Sequence, residues 1–259
     1  MKRHNAPKPL SVTGQRSELG RLLSAQTVRG SVHFNVAGQQ ANTLLHDGHA
    51  WKDFARVALA GVRRALRSDA ELLVHASFAF VVGQPQKDPL RSLAEVILEC
   101  EQRVLAGPVP ACAVRLGYLY GPQSADLRAY RKAFRLGRPY WAGPRAAGQF
   151  HLHHDDAVSA LLAAATPRNA GRTLYATGGP AVPFMHFMDH FARRLGTRLV
   201  LHVPLIAAPL FTPVVRKEHM QQVALAMPGR APSPRVPGWK PAWADYREGL
   251  DGVVEGWEG

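Results

Sequence analysis

Three short apolar runs, separated by two stretches of helical spacing, constrain the fold most. Val32-His-Phe-Asn-Val-Ala-Gly38, Leu72 to Val82 and Cys112-Ala-Val-Arg-Leu116 read as buried strands, the first ending in a small-residue turn. Trp51 to Arg67 places Phe54, Val57, Ala58, Gly61, Val62, Ala65 and Leu66 at helical spacing. Leu90 to Leu105 does the same with Leu90, Leu93, Ala94, Ile97, Leu98, Glu101 and Leu105. Strand, helix, strand, helix, strand implies right-handed crossovers and a parallel sheet, so the predicted class is α/β.

With 259 residues, 46% of them apolar, the chain can bury a substantial core. Basic residues number 32 against 19 acidic, a net charge of +13. The excess is mostly arginine dispersed along the chain, with no basic tail and no aromatic-basic alternation. That reads as a solvated basic surface, and nucleic acid is not the expected partner. Cys100 and Cys112 fall in a predicted helix and a predicted strand without Cys-x-x-Cys spacing. This argues against a disulfide scaffold or zinc site and suits a reducing, cytoplasmic setting. The charged N-terminus lacks an apolar core of signal-peptide length. The apolar stretch Leu199 to Val215 is broken by Pro204, Pro209 and Pro213. It is therefore expected as a strand and packed loop or short helix, with no membrane span.

Beyond Pro122 the texture changes. Leu127 to Leu136 predicts a short basic helix and Asp155 to Ala165 another, with an aspartate near its positive end. Thr173-Leu-Tyr-Ala-Thr177 predicts a strand stopped by Gly178-Gly-Pro, and Pro183 to Leu195 an amphipathic helix ending at Gly196. Residues 225–245, rich in Pro, Arg and Trp, are expected to be poorly ordered.

Arg115-Leu-Gly-Tyr-Leu-Tyr120-Gly-Pro122, followed by Phe150-His-Leu-His-His-Asp-Asp156-Ala-Val-Ser-Ala160, resembles the extended short-chain dehydrogenase/reductase family of the NAD(P)-dependent epimerase/dehydratase type. The similarity runs from about Val32 to about Leu205 and includes Gly38, Gly61, Ser77, Gly83 and Gly178-Gly179 in the family's order. It implies a reduced Rossmann-like parallel sheet with a small C-terminal α+β cap. Residues 1–122 would form an incomplete dinucleotide-binding domain, and 123–259 a substrate and cap region interleaved with the sheet. It further implies NAD or NADP at Ala37, Gly38 and Ser77, and a small-molecule substrate at Arg115, Tyr118 and Tyr120. A homodimer through helices 51–67 and 90–105 is also implied.

The family's dinucleotide turn, Gly-x-x-Gly-x-x-Gly, has its nearest counterpart in Thr13-Gly14-Gln-Arg-Ser17-Glu-Leu-Gly20, with a serine at the middle glycine. Residues 13–23 equally resemble the family's later turn and helix leading into Val32. The chain is then either late-starting or internally shortened, and the late start is expected. The family's catalytic Ser, Tyr and Lys fall on Phe78, Leu93 and Ile97, and no Tyr occurs before Tyr118. No catalytic residue is therefore assigned. The expected activity is an impaired version of the family's, on a hydroxyl or keto group of a sugar- or steroid-like molecule. Non-catalytic ligand binding or regulation is one alternative, and a basic nucleic-acid-associated protein the other.

Arg115 presents a forked donor set that suits a phosphate, and equally an ion pair tying the two halves together. Tyr118 and Tyr120 read either as ligand contacts or as packed aromatics. His151 and His153 share a strand face, but no third ligand is evident, so no metal site is expected.

Overall fold

A computed structural model describes residues 8–28, 30–41, 52–138, 140–141, 143–144, 147–197, 201–203, 207 and 217–258. Its centre is a five-stranded parallel sheet: β1 (Ser11–Thr13), β2 (Val32–Asn35), β3 (Leu72–Phe78), β4 (Ala111–Leu116) and β7 (Thr173–Ala176). The spatial order is β7-β4-β3-β2-β1. Two further short strands, β5 (Tyr118–Tyr120) and β6 (His151–His153), pair with each other in parallel beyond the end of β4. The helices are α1 (Glu18–Ser24), α2 (Phe54–Ala65), α3 (Leu90–Leu105), α4 (Ala125–Arg135), α5 (His154–Ala164), α6 (Phe184–Arg194), α7 (Lys217–Val223) and α8 (Tyr246–Glu258).

Alternation along the strands gives the sheet two unlike faces. Val12, Phe34, Val74, Val114 and Leu174 point to one side and form an apolar core with Leu19 and Leu23 of α1 and Leu161 and Ala164 of α5. The other side lies under α2 and α3 and carries a polar row through all five strands. The His33 ring sits between the hydroxyls of Ser11 (2.8 Å) and Thr13 (2.9 Å). Asn35 bonds to His75 (3.1 Å), and Ser77 donates to Glu101 of α3. Arg115 makes a two-pronged contact with Glu101 (2.8 and 2.7 Å) and donates to the Tyr175 hydroxyl (2.7 Å). A buried polar row is tolerable because each member has a partner.

β1 is the sheet edge. The Thr13 carbonyl accepts the Val36 N–H (2.9 Å), so by strand alternation the N–H and C=O of Val12 turn away from the sheet. In the full dinucleotide-binding sheet, strand order 3-2-1-4-5-6 places the first strand beside the fourth. Here β1 sits beside β2, with α1 and the short strand Thr27–Val28 between them in sequence. That adjacency agrees with the internally shortened alternative, in which the first strand lies beside the family's fourth.

Two expectations change. Residues 225–245 are tied to the sheet by backbone hydrogen bonds: Tyr175 N–H donates to Pro234 O (2.9 Å) and Val236 N–H to Tyr175 O (3.2 Å). Asp156, 2% exposed at the start of α5, accepts the N–H groups of Ala242 (2.7 Å) and Trp243 (3.0 Å). The helix expected from Trp51 begins at Phe54, Trp51 itself lying outside the described residues. Of Leu199 to Val215, only 201–203 and 207 are described, with His202–Val203 pairing in parallel with Tyr140–Trp141. Among the described residues no helix is long and apolar enough to cross a membrane.

Candidate functional site

The turn after β1 is shaped by two glycines. Gly14 has φ +96, and a Cβ there would lie 2.7 Å from the Ala37 nitrogen. A Cβ on Gly20 would overlap the Gly14 carbonyl oxygen. Both positions need glycine because backbone meets backbone. Ser17 lies between them as the cap of α1. Its hydroxyl accepts the Gly20 N–H (3.0 Å) and donates to the Gly14 carbonyl (2.8 Å). The next residue, Glu18, accepts the Ala125 N–H (3.1 Å) and lies 3.4 Å from the His154 Nε2. Burial, with Asp126 adding to it, pushes the Glu18 carboxyl above the usual range, and burial pushes His154 down to about 3.

A crevice of about 780 Å³ opens between this turn and the end of β2, lined by Gly14, Ser17, Ala37, Gly38, Arg16 and Arg64 among others. Gly38 has φ +89, and a Cβ there would lie 3.0 Å from the Phe54 ring, so glycine lets the chain turn under α2. A smaller space of about 170 Å³ adjoins at Arg16 and Ser17, with Glu18, Gln39 and His154 in its wall.

Of the residues expected to hold a cofactor, the structure brings Ala37 and Gly38 to this crevice. Ser77 is not in its lining, because the hydroxyl is drawn under α3 to Glu101. Its carbonyl, with that of Ala76, instead accepts from Gln39 Nε2 (3.2 and 2.9 Å). Gln39 thus bridges the ends of β2 and β3, a role with no sequence signal beyond a polar residue after Ala-Gly. Arg115 is committed to Glu101 and Tyr175, the ion-pair alternative of the sequence reading. Tyr118 and Tyr120 are 2% and 1% exposed, packed around Phe187 and His151. Burial raises both phenols well above their ordinary value, the opposite of what a proton-transferring tyrosine needs. Phe78, Leu93 and Ile97 are 3%, 9% and 2% exposed and belong to one apolar cluster. No group of three His, Cys, Asp or Glu among the described residues is placed to hold a metal.

A dinucleotide needs open backbone N–H groups at the helix start for its pyrophosphate. Here the Ser17 hydroxyl takes the Gly20 N–H, and Glu18 sets a carboxylate on the inner side. Gln39 covers the carbonyl ends of β3, where the reactive half would lie. The residues fit an anion on the outer side, beside Arg16 and Arg64, and do not fit a dinucleotide poised for hydride transfer.

The sequence matches no protein-family model and no curated protein. The fold, by contrast, is shared with solved structures over nearly the whole chain. The human epimerase family protein SDR39U1, solved with NADPH, aligns at TM-score 0.67 and 13% identity, over 94% of this chain and 90% of that one. RMD from Pseudomonas aeruginosa, complexed with NADPH, aligns at 0.67 and 17%, over 96% and 98%. The UDP-glucose 4-epimerase of Thermotoga maritima, with UDP-glucose, aligns at 0.65 and 12%, over 96% and 98%. The chain has the fold of NAD(P)-dependent epimerases and dehydratases of the extended short-chain dehydrogenase type.

Proposed function

We propose that this protein binds a phosphorylated, nucleotide-type small molecule in the crevice between Gly14–Ser17 and Ala37–Gln40, and performs neither hydride transfer nor epimerisation. The observation that carries this reading is the apolar cluster of Phe78, Leu93 and Ile97 at the positions where the family resemblance calls for a serine, a proton-transferring tyrosine and a lysine. Arg16 and Arg64 supply charge for a phosphate, and among the described residues no carboxylate lines that crevice. Fold likeness to proteins solved with NADPH and UDP-glucose supports a nucleotide as the ligand class. NAD and NADP remain candidates through their adenosine ends.

The test is calorimetry and thermal shift with AMP, NAD, NADP and UDP-glucose, beside an assay for product. A ligand that binds only the folded chain raises its melting temperature. We expect saturable AMP binding, weakened about tenfold by Arg64→Gln, and no turnover. Product formation, or no binding by a folded chain, refutes the reading. One observation favours a second reading, an enzyme with an unusual base. Glu18, its carboxyl raised by burial, lies beside His154 in the inner space. Any turnover found should then disappear in Glu18→Gln.

A further inference from the structure

A second concavity of about 480 Å³ shares no residue with the crevice and lies between the turn Gly179–Pro183 and the segment Trp243–Arg247. That is the size of a small-molecule site. The most deeply buried side chain in its lining is His151 of β6, 4% exposed. The imidazole is stacked flat on Phe187, centroids 4.0 Å apart and planes 2° from parallel, with Tyr118 and Tyr120 edge-on to it. Neither ring nitrogen has a hydrogen-bond partner among the described residues. Burial holds the ring neutral, its pKa down to about 3. A neutral imidazole carries one donor and one acceptor, and leaving both unmet in the core is destabilising. Phenylalanine would fill this aromatic niche without that penalty. The Val182 backbone, part of the slot wall, offers the ring a weak polar contact that works against burial, short of the geometry of a hydrogen bond.

The remaining surfaces define what would fit. Pro180 and Pro183 line the slot together with Trp243 and Tyr246, so much of its wall is apolar. At the rim the Arg247 guanidinium lies over the Tyr246 ring (4.9 Å). Among the described residues its ion pair is a loose one with Asp245 (3.4 Å), both side chains being exposed, and such a pair is readily exchanged for another anion.

We propose that this slot binds a planar aromatic acid, its ring between the prolines and Trp243 and Tyr246, a ring hydroxyl on His151 and its carboxylate on Arg247. The site is independent of the nucleotide reading above. The probes are 6-hydroxy-2-naphthoate, 2-naphthoate (no hydroxyl) and 2-naphthol (no carboxylate), titrated into the full chain by calorimetry and Trp fluorescence with AMP at saturation. The hydroxynaphthoate should bind at least tenfold more tightly than either partial probe. His151→Phe should equalise hydroxynaphthoate and naphthoate while leaving the melting temperature of the ligand-free chain unchanged or higher. Arg247→Gln, an exposed change that spares folding, should equalise hydroxynaphthoate and naphthol. Equal affinity for the three probes, no saturable binding of any, or a full hydroxyl preference in His151→Phe overturns the proposal. Should His151→Phe fail to fold, a carboxylate preference unchanged in Arg247→Gln overturns it alone.

Discussion

Gly20 and Gly249 resemble each other in sequence and differ in what opposes them. A methyl group on Gly20 would strike the Gly14 carbonyl, and backbone cannot move aside. Gly20→Ala should lose about 3 kcal/mol in urea unfolding. A methyl group on Gly249 would strike the Tyr120 hydroxyl, which itself has no hydrogen-bond partner among the described residues. Gly249→Ala should destabilise by about 1–3 kcal/mol. Tyr120→Phe should be neutral or stabilising, and the double variant should recover most of the loss. A double-variant deficit equal to that of Gly249→Ala alone would refute the contact. At this scale the sequence spoke unevenly. The spacing of Gly14 and Gly20 was legible because turn chemistry is local. That Tyr118, Tyr120 and Arg115 face inward was not, because their partners Phe187, Glu101 and Tyr175 lie far off in sequence.

Among the elements, the polar row beneath α2 and α3 is the least expected. Removing its central acid with Glu101→Ala would leave Arg115, 16% exposed, without its two-pronged partner. The expected loss is about 3–5 kcal/mol, whereas Glu101→Leu with Arg115→Met should lie near wild type. Chemical denaturation of the single and double variants separates the two cases. Strong periodicity made β3, α3, α5 and α6 readable within a residue or a few. β1 has three residues, too few for any period, and so its place beside β2 was not readable. α8 was missed because Gly249, Gly252 and Gly256 lower its intrinsic propensity. It forms because Leu250, Val253 and Val254 pack into the aromatic cluster of α6.

At the scale of the molecule, six buried imidazoles set the response to acid, His33 and His153 being lowered by burial alongside the four held lowest. His75 is held down to about 4, and His151, His154 and His219 to about 3, in each case chiefly by burial. Below the ordinary value of 6.5 the unfolded chain takes up protons that the folded one refuses. Stability is therefore whole above pH 6.5 and falls as pH drops toward 4, by up to about 1.4 kcal/mol per pH unit for each ring. Glu18, raised by burial, has the opposite sign, its protonated form being favoured in the folded chain. Melting temperatures across pH 4–8 should show the steep acid limb, and His151→Phe should flatten it by one proton. The edge of the sheet has a consequence of its own. Among the described residues no strand pairs with the outward N–H and C=O of Val12, and Ala60, Arg63, Arg64 and Arg67 of the neighbouring helical segment line a hollow beside that edge with Ser11 and His33. Two molecules meeting edge to edge would bring these arginines together, so the charge acts as a bumper against stacking into fibres. Salt screens such a contact over about 10 Å at 0.1 M, so light scattering from the folded chain is expected to rise with ionic strength, and to stand higher at low salt once the three arginines are replaced by glutamine.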